Sequence, residues 1–383
     1  PMMMSADVYD VTRETGAVGI LHSMGLDPWV VDFGSPDREE GGWDRTLTDH
    51  IIALDEIVDH VHDYTGRDIH LAGYSQGGMF CYQAAAYRRS RHVASLITFG
   101  SPVDTLAALP FGIPEGVAVR AADFLADHVF NRLAITGWMA KTGFQFLDPV
   151  KTVRSRIEFL MQLHDREALL PREPQRRFLD TEGWVAWSGP AVAELLRQFI
   201  VHNRMVSGGF VINDRAVSLA EITCPILAFV GEVDDIGQPL AVRGIRKAAP
   251  RAQVFEYSLR AGHFGLVVGG TAARQTWPAV GEWVQWREGH GDRPVGVGRM
   301  AIPELHAEGE TGVSVATRLT HTVATIAEVG VEVGKGIADL ASETVRGARE
   351  LSGEAARALP RLARLGQIQP RTRISLAGVL TEQ

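Results

Sequence analysis

The stretch IHLAGYSQGGMF (Ile69–Phe80) takes an apolar strand pattern into a helix pattern through the turn GYSQGG. IHLAGY is a short apolar run of strand type, and MFCYQAAAY after the glycines suits a buried helix. A Gly-x-Ser-x-Gly run between a strand and a helix is the setting in which a serine serves as nucleophile. Gly73 and Gly77 leave space for a strained turn, so that Ser75 projects its oxygen above a sheet edge. The alternative is an ordinary serine among glycines, and only partner residues can decide between the two.

Around this junction the first half of the chain alternates strand-like and helix-like segments. PWVVDFGSP (Pro28–Pro36) reads as a buried strand ending in a turn. TLTDHIIALDEIVDHVHDYTG (Thr46–Gly66) reads as a helix, with Ile51, Leu54, Ile57, Val58 and Val61 at helical spacing and Gly66 as its stop. ASLITFGSP (Ala94–Pro102) is a further strand. Strands alternating with helices imply βαβ units, hence an α/β fold with a mostly parallel sheet and helices on both faces. From about residue 103 to 219 the pattern turns mostly helical and aromatic, as expected of a cap inserted over the carboxyl edge of the sheet. Open α/β sheets hold their ligands at that edge. Strand rhythm returns in CPILAFVGEVDD (Cys224–Asp235) and AQVFEYSLRAGH (Ala252–His263), followed by a helix through TWPAVGEWVQWRE.

The expected domains are residues 1–290 for the α/β unit, 291–310 for a linker, and 311–366 for an amphipathic helical connector. In the connector Val323, Ile326, Val333, Ile337, Leu340 and Val345 recur roughly at helical spacing. Packing against its own chain is the plain expectation for it, and a partner or lipid surface the alternative. The 383 residues suit one large domain with an appendage. The net charge of −8 gives no reason to expect a nucleic-acid partner. Cys81 and Cys224 are the only cysteines, which excludes a disulfide framework and fits a reducing, cytoplasmic setting. Neither cysteine lies in a metal-ligand pattern, and no metal or cofactor is expected. No secretory signal opens the chain, and no apolar run reaches the length of a membrane span. The opening proline, in place of an initiator methionine, leads us to expect a piece of a longer protein.

A serine hydroxyl needs a base, and that base needs an orienting group. When the nucleophile follows a strand in this way, the chain order is Ser, acid, His. AFVGEVDDIGQP offers Asp234 and Asp235 just after a late strand, and YSLRAGHFG offers His263 after the last one. Asp234 is the preferred acid, with a turn-capping role as its ordinary alternative; for His263 that alternative is a core imidazole. Asp235 is the weaker acid, and Glu232 should point away. His22, His50, His62, His70 and His202 lie on helices or strand starts and are read as structural or solvated. One oxyanion donor would be the backbone N–H of Gln76, at the helix start. The second would come from the loop at the start of the chain, around Met2 or Met3. In the cap, Trp138, Met139, Phe144 and Phe146 are candidate acyl-binding residues, with core packing as the competing reading.

VVDFGSPDREEGGWDRTLTDHI, IHLAGYSQGGMF, NRMVSGGFVINDRAVSLAEITCPILAFVGEVDDI and AGHFG together resemble the polyhydroxyalkanoate synthase branch of the α/β-hydrolase superfamily. The resemblance covers roughly residues 1–288, and PMMMSADVYDV resembles the family's segment just after an early strand. It implies an α/β-hydrolase fold whose earliest strands precede this chain, with Asp234 and His263 at the family's acid and base positions. It also implies a departure, because those synthases carry cysteine where Ser75 stands. A serine ester is less activated than a thioester, which suits ester hydrolysis or simple acyl transfer better than polymerisation. QPRTRISLAGVLTEQ (Gln369–Gln383) resembles the opening of an adenylate-forming acyl-CoA synthetase, so residues 367–383 would begin a fused synthetase domain. The expectation is a serine ester hydrolase acting on acyl esters. Acyl transfer or polymer synthesis and breakdown from acyl-CoA or hydroxyacyl esters is the alternative, and an inactive lipid-binding scaffold a second one.

Overall fold

The computed structural model describes residues 3–109, 114–130, 133, 135–137, 139, 177–178 and 183–301, all within the unit Pro1–Glu304. Met2, Trp138, Phe144 and Phe146 lie outside the described residues, as do the expected connector and the synthetase-like segment.

α1 (Ala17–Ser23) is followed by α2 (Leu47–Thr65). Thr46 and Asp49 form a reciprocal capping box at the start of α2, and Gly66 ends it in the left-handed conformation. β1 (Ile69–Tyr74), α3 (Gln76–Tyr87) and β2 (Val93–Phe99) complete a βαβ unit. α4 (Glu115–Leu125) and α5 (Gly189–Leu195) belong to the inserted region. It also holds a hairpin, β3 (Phe210–Ile212) with β4 (Arg215–Val217). β5 (Ile226–Gly231), β6 (Val254–Leu259), α6 (Trp277–Arg287) and β7 (Gly298–Arg299) close the unit.

Among the described residues the main sheet runs β1-β2-β5-β6-β7, with the first four strands parallel and β7 antiparallel. Every residue of β5 is buried, as a strand covered on both faces requires. One apolar cluster joins α2, α3 and the sheet through Ile51, Val58, Phe80, Leu96 and Val230. The other joins α1 and α6 to the opposite face through Ala17, Ile97, Phe229, Trp277 and Trp283. Two buried hydrogen bonds tie these layers together: the Trp283 indole N–H donates to Ser95 Oγ at 3.0 Å, and the Tyr82 and Thr98 hydroxyls meet at 2.7 Å.

Three expectations need correction. Pro28–Pro36 forms no strand: Trp29 and Val30 are 46% and 47% exposed, and Trp29 packs edge-on against Tyr64 instead. Its apolar spacing mimics a strand, but a cavity of about 830 Å3 lies between this segment and the outer edge of β1, so its backbone finds no ladder partner. The expected helical cap contains a hairpin, because Asn213 and Asp214 both take positive φ (46° and 59°) and so make the tight two-residue turn that twisted strands favour. Finally, the expected boundary at 290 falls too early. β7 pairs Arg299 with Phe255, and Val297 and Met300 are buried against the domain.

His50 on α2 is buried, stacked between Phe80 and Trp187 at ring-centroid distances of 5.2 and 5.4 Å. Its Nδ1–H donates to the Thr46 carbonyl at 2.7 Å. Burial lowers its pKa to about 4, well below the ordinary 6.5. The unfolded chain therefore binds this proton more readily than the folded one. The stability that neutral His50 supports is complete above about pH 6.5 and drains as pH falls toward 4, reaching about 3 kcal/mol at 1.4 kcal/mol per pKa unit. Thermal unfolding followed from pH 7.5 to 4 should show this loss, and His50→Phe should flatten the slope over that window.

Candidate active site

Three parallel strands of the sheet, β1, β5 and β6, each lead to one of three side chains that meet at its carboxyl edge. β1 ends at Tyr74 and the chain passes through Ser75 directly into α3. A Cβ on Gly73 would stand 2.5 Å from the Gly77 carbonyl, so strand and helix approach each other as closely as glycine allows. Ser75 pays for that approach with φ 54° and ψ −121°, a conformation costing a non-glycine residue about 1–3 kcal/mol. Its own N–H donates to the Phe99 carbonyl at 2.8 Å, and its carbonyl accepts from Gly78 and Met79, which fixes the turn from both sides.

Asp234 follows β5 and is 3% exposed. Its Oδ1 accepts N–H bonds from Ile236 at 2.9 Å and Gly237 at 2.8 Å, leaving Oδ2 for His263 Nδ1 at 2.7 Å. His263 follows β6 and is 7% exposed. The carboxylate holds the imidazole proton on Nδ1, so Nε2 presents its lone pair to the Ser75 hydroxyl at 2.9 Å. The three residues the sequence singled out thus form one continuous hydrogen-bonded relay. The weaker acid candidate and Glu232 stand apart from it: Asp235 is exposed, and Glu232 pairs with Arg243 at 2.8 Å.

Gln76 is the first residue of α3, where a backbone N–H has no acceptor within the helix and faces the positive end of its dipole. This is the position from which the sequence leads us to expect one oxyanion donor. Met3 is buried with φ 58°, and its carbonyl accepts from Val185 N–H. Met139, the described member of the expected acyl-binding set, packs against the core cluster of α2 and α3. The 830 Å3 cavity is lined by β1 residues with Val18, Leu54, Val58 and Trp277; Ser75, Asp234 and His263 are not among its lining residues.

Sequence reasoning missed three contributors. Tyr74 lays its ring against His263, with centroids 4.9 Å apart; its hydroxyl is buried without a hydrogen-bond partner. Burial, reinforced by the Asp234 charge, pushes the Tyr74 pKa well above 10, so the hydroxyl stays neutral. Tyr9 donates no strand of its own but places its hydroxyl on the Tyr74 N–H at 2.9 Å, tying the N-terminal segment to the base of the turn. Gly100, just past β2, has φ 55°, and a Cβ there would lie 2.9 Å from Asp234 Oδ2 and 3.2 Å from His263 Nδ1. The FGSP run after a strand was its only trace in the sequence. Both cysteine thiols are buried, and burial pushes Cys81 up to about 12 and Cys224 up to about 11.

Gly100→Ala should displace the His263–Asp234 pair without touching Ser75. We expect kcat for an activated ester to fall about 10²-fold, the scale of a misplacement near 1 Å, with KM nearly unchanged. Steady-state kinetics on the two proteins measure this, with circular dichroism as the check on folding.

The poly(3-hydroxyalkanoate) polymerase subunit PhaC of Allochromatium vinosum is 27% identical over 289 residues, covering 73% of this chain and 77% of its own. The PhaC subunit of Synechocystis is 28% identical over 293 residues, covering 73% and 74%. Among solved structures, the Paleococcus ferrophilus monoacylglycerol lipase is 15% identical with a TM-score of 0.43, covering 71% of this chain and 88% of its own. MenH from Staphylococcus aureus is 16% identical with a TM-score of 0.45, covering 75% and 91%. The sequence profile described as the alpha/beta hydrolase family matches residues 21–274, well over half of the chain. The protein belongs to the alpha/beta hydrolase family.

Proposed function

We propose that this protein is a serine ester hydrolase that cleaves acyl esters through an acyl-enzyme intermediate. The observation that carries the reading is the relay from Ser75 Oγ through His263 to Asp234, with distances of 2.9 and 2.7 Å. In the first half-reaction Ser75 Oγ attacks the ester carbonyl while His263 Nε2 takes its proton. Asp234 stabilises the imidazolium formed and stays ionised throughout. The tetrahedral oxyanion takes a hydrogen bond from the Gln76 N–H. As the intermediate collapses, His263 returns the proton to the departing alkoxide and the acyl group remains on Ser75. Water then repeats the sequence: His263 removes its proton, the acid leaves, and Ser75 regains its hydrogen.

A second reading, acyl transfer to an alcohol or hydroxyacyl acceptor, is favoured by the relatives named polymerase subunits. It uses the same three residues with a different second nucleophile. The serine at the position where the resemblance to the synthases implies cysteine weighs toward hydrolysis, because an oxygen ester reacts less readily with a growing alcohol chain than a thioester does.

A fluorophosphonate probe should label the folded protein at Ser75, and Ser75→Ala should abolish labelling. Asp234→Asn should keep the fold and lower kcat by about 10⁴, because the wrong imidazole tautomer then faces the serine. Absence of labelling in the folded chain would overturn the nucleophile assignment. Product analysis with a competing alcohol separates the two readings: free acid as sole product supports hydrolysis, and a new ester supports transfer.

A further inference from the structure

At the opposite edge of the sheet, three side chains that play no part in the relay converge. His62 comes from the last turn of α2, Asp68 immediately precedes β1, and His92 immediately precedes β2. His62 Nδ1 lies 3.4 Å and His92 Nδ1 3.6 Å from the same atom, Asp68 Oδ1. One donor atom from each residue falls within 4.8 Å of the other two. The two imidazole rings lie one over the other, with centroids 3.7 Å apart and planes tilted by 31°. His92 takes up this position with φ 59°.

We propose that His62, Asp68 and His92 form a binding site for a zinc ion. The geometry argues for it quantitatively. Zinc bound tetrahedrally to nitrogen and oxygen at about 2.0–2.1 Å separates its ligand atoms by about 3.4 Å. The two measured separations match that edge to within 0.2 Å. Two neutral imidazoles and one carboxylate are a borderline donor set, which suits zinc and disfavours magnesium and calcium, ions that demand mostly oxygen ligands. The Arg67 carbonyl lies 2.9 Å from His62 Nδ1, and a water would complete the four ligands. In the metal-free protein this carbonyl accepts the Nδ1–H bond; metal binding requires that proton to move to Nε2, leaving the Nδ1 lone pair for zinc. An ion held here would clamp the end of α2 to the starts of β1 and β2. β1 rises about 3.3 Å per residue over its six residues, so the clamp sits about 20 Å from Ser75 and acts on stability rather than chemistry.

The test uses the full chain. Titration calorimetry with zinc chloride should show one saturable site. Thermal unfolding at a hundred-fold excess over Kd should rise by a few degrees, with no such rise for magnesium. Replacement by cobalt(II) should give the intense visible bands of tetrahedral coordination. The double variant His62→Gln/His92→Gln should lose the site while its metal-free unfolding temperature and fluorophosphonate labelling at Ser75 stay unchanged. Asp68→Asn, at an exposed position, should weaken binding at least ten-fold. Absence of saturable binding, a weak octahedral cobalt spectrum, or zinc affinity unchanged in the double variant would each overturn the proposal. Because the cobalt spectrum is read on the unaltered chain, the outcome does not depend on the folding of any variant.

Discussion

A single methyl group could not be inserted between Gly73 and the backbone at Gly77, and the active site depends on that contact. It lets β1 turn into α3 within one residue, with Ser75 held at positive φ between them. The strain is held by a backbone bond to Phe99 on the neighbouring strand and by two bonds from the first turn of α3. The helix N-terminus that results brings its unsatisfied amides to the same point as the nucleophile. The Ser75 hydroxyl and the Gln76 amide thus owe their closeness to one geometric cause.

The other two members of the relay depend on the register of the sheet. Gly73 lies opposite Thr98 and Phe99 opposite Phe229, while Gly231 lies opposite Leu259. All four parallel strands therefore end at one edge, so short loops after β5 and β6 suffice to bring Asp234 and His263 within 3 Å contacts of each other and of Ser75. Burying a carboxylate there would be costly if it were unpaired. Asp234 avoids the cost because two backbone N–H groups and one imidazole satisfy it. Gly100 completes the arrangement by leaving the volume that the pair fills.

Local signals were read correctly where local physics decides structure. The capped helix Leu47–Thr65, the strand Ile69–Tyr74 and the buried helix after it carry their own caps, spacing and stops. Ser75, Asp234 and His263 were legible because each follows a recognisable strand and each is a chemically necessary type. Pro28–Pro36 was misread because apolar spacing does not say whether a neighbouring edge is within reach. The hairpin at Asn213–Asp214 was missed although asparagine and aspartate are suited to its turn, because three-residue strands leave almost no periodicity. β7 leaves no trace in the spacing, because two paired residues among glycines look like any loop.

Spacing along the chain was enough to read the α/β class, the strand-to-helix turn at Ser75 and the candidates Asp234 and His263 that meet it, since these rest on short-range pattern and on what a nucleophilic serine would demand. Only the tertiary structure decided that Gly100 makes room for the His–Asp pair, that Tyr9 braces Tyr74, and that Asp68 meets two histidines from other elements. Those relations join residues tens of positions apart through strand register and helix packing, and no local pattern records the distance between two strand ends.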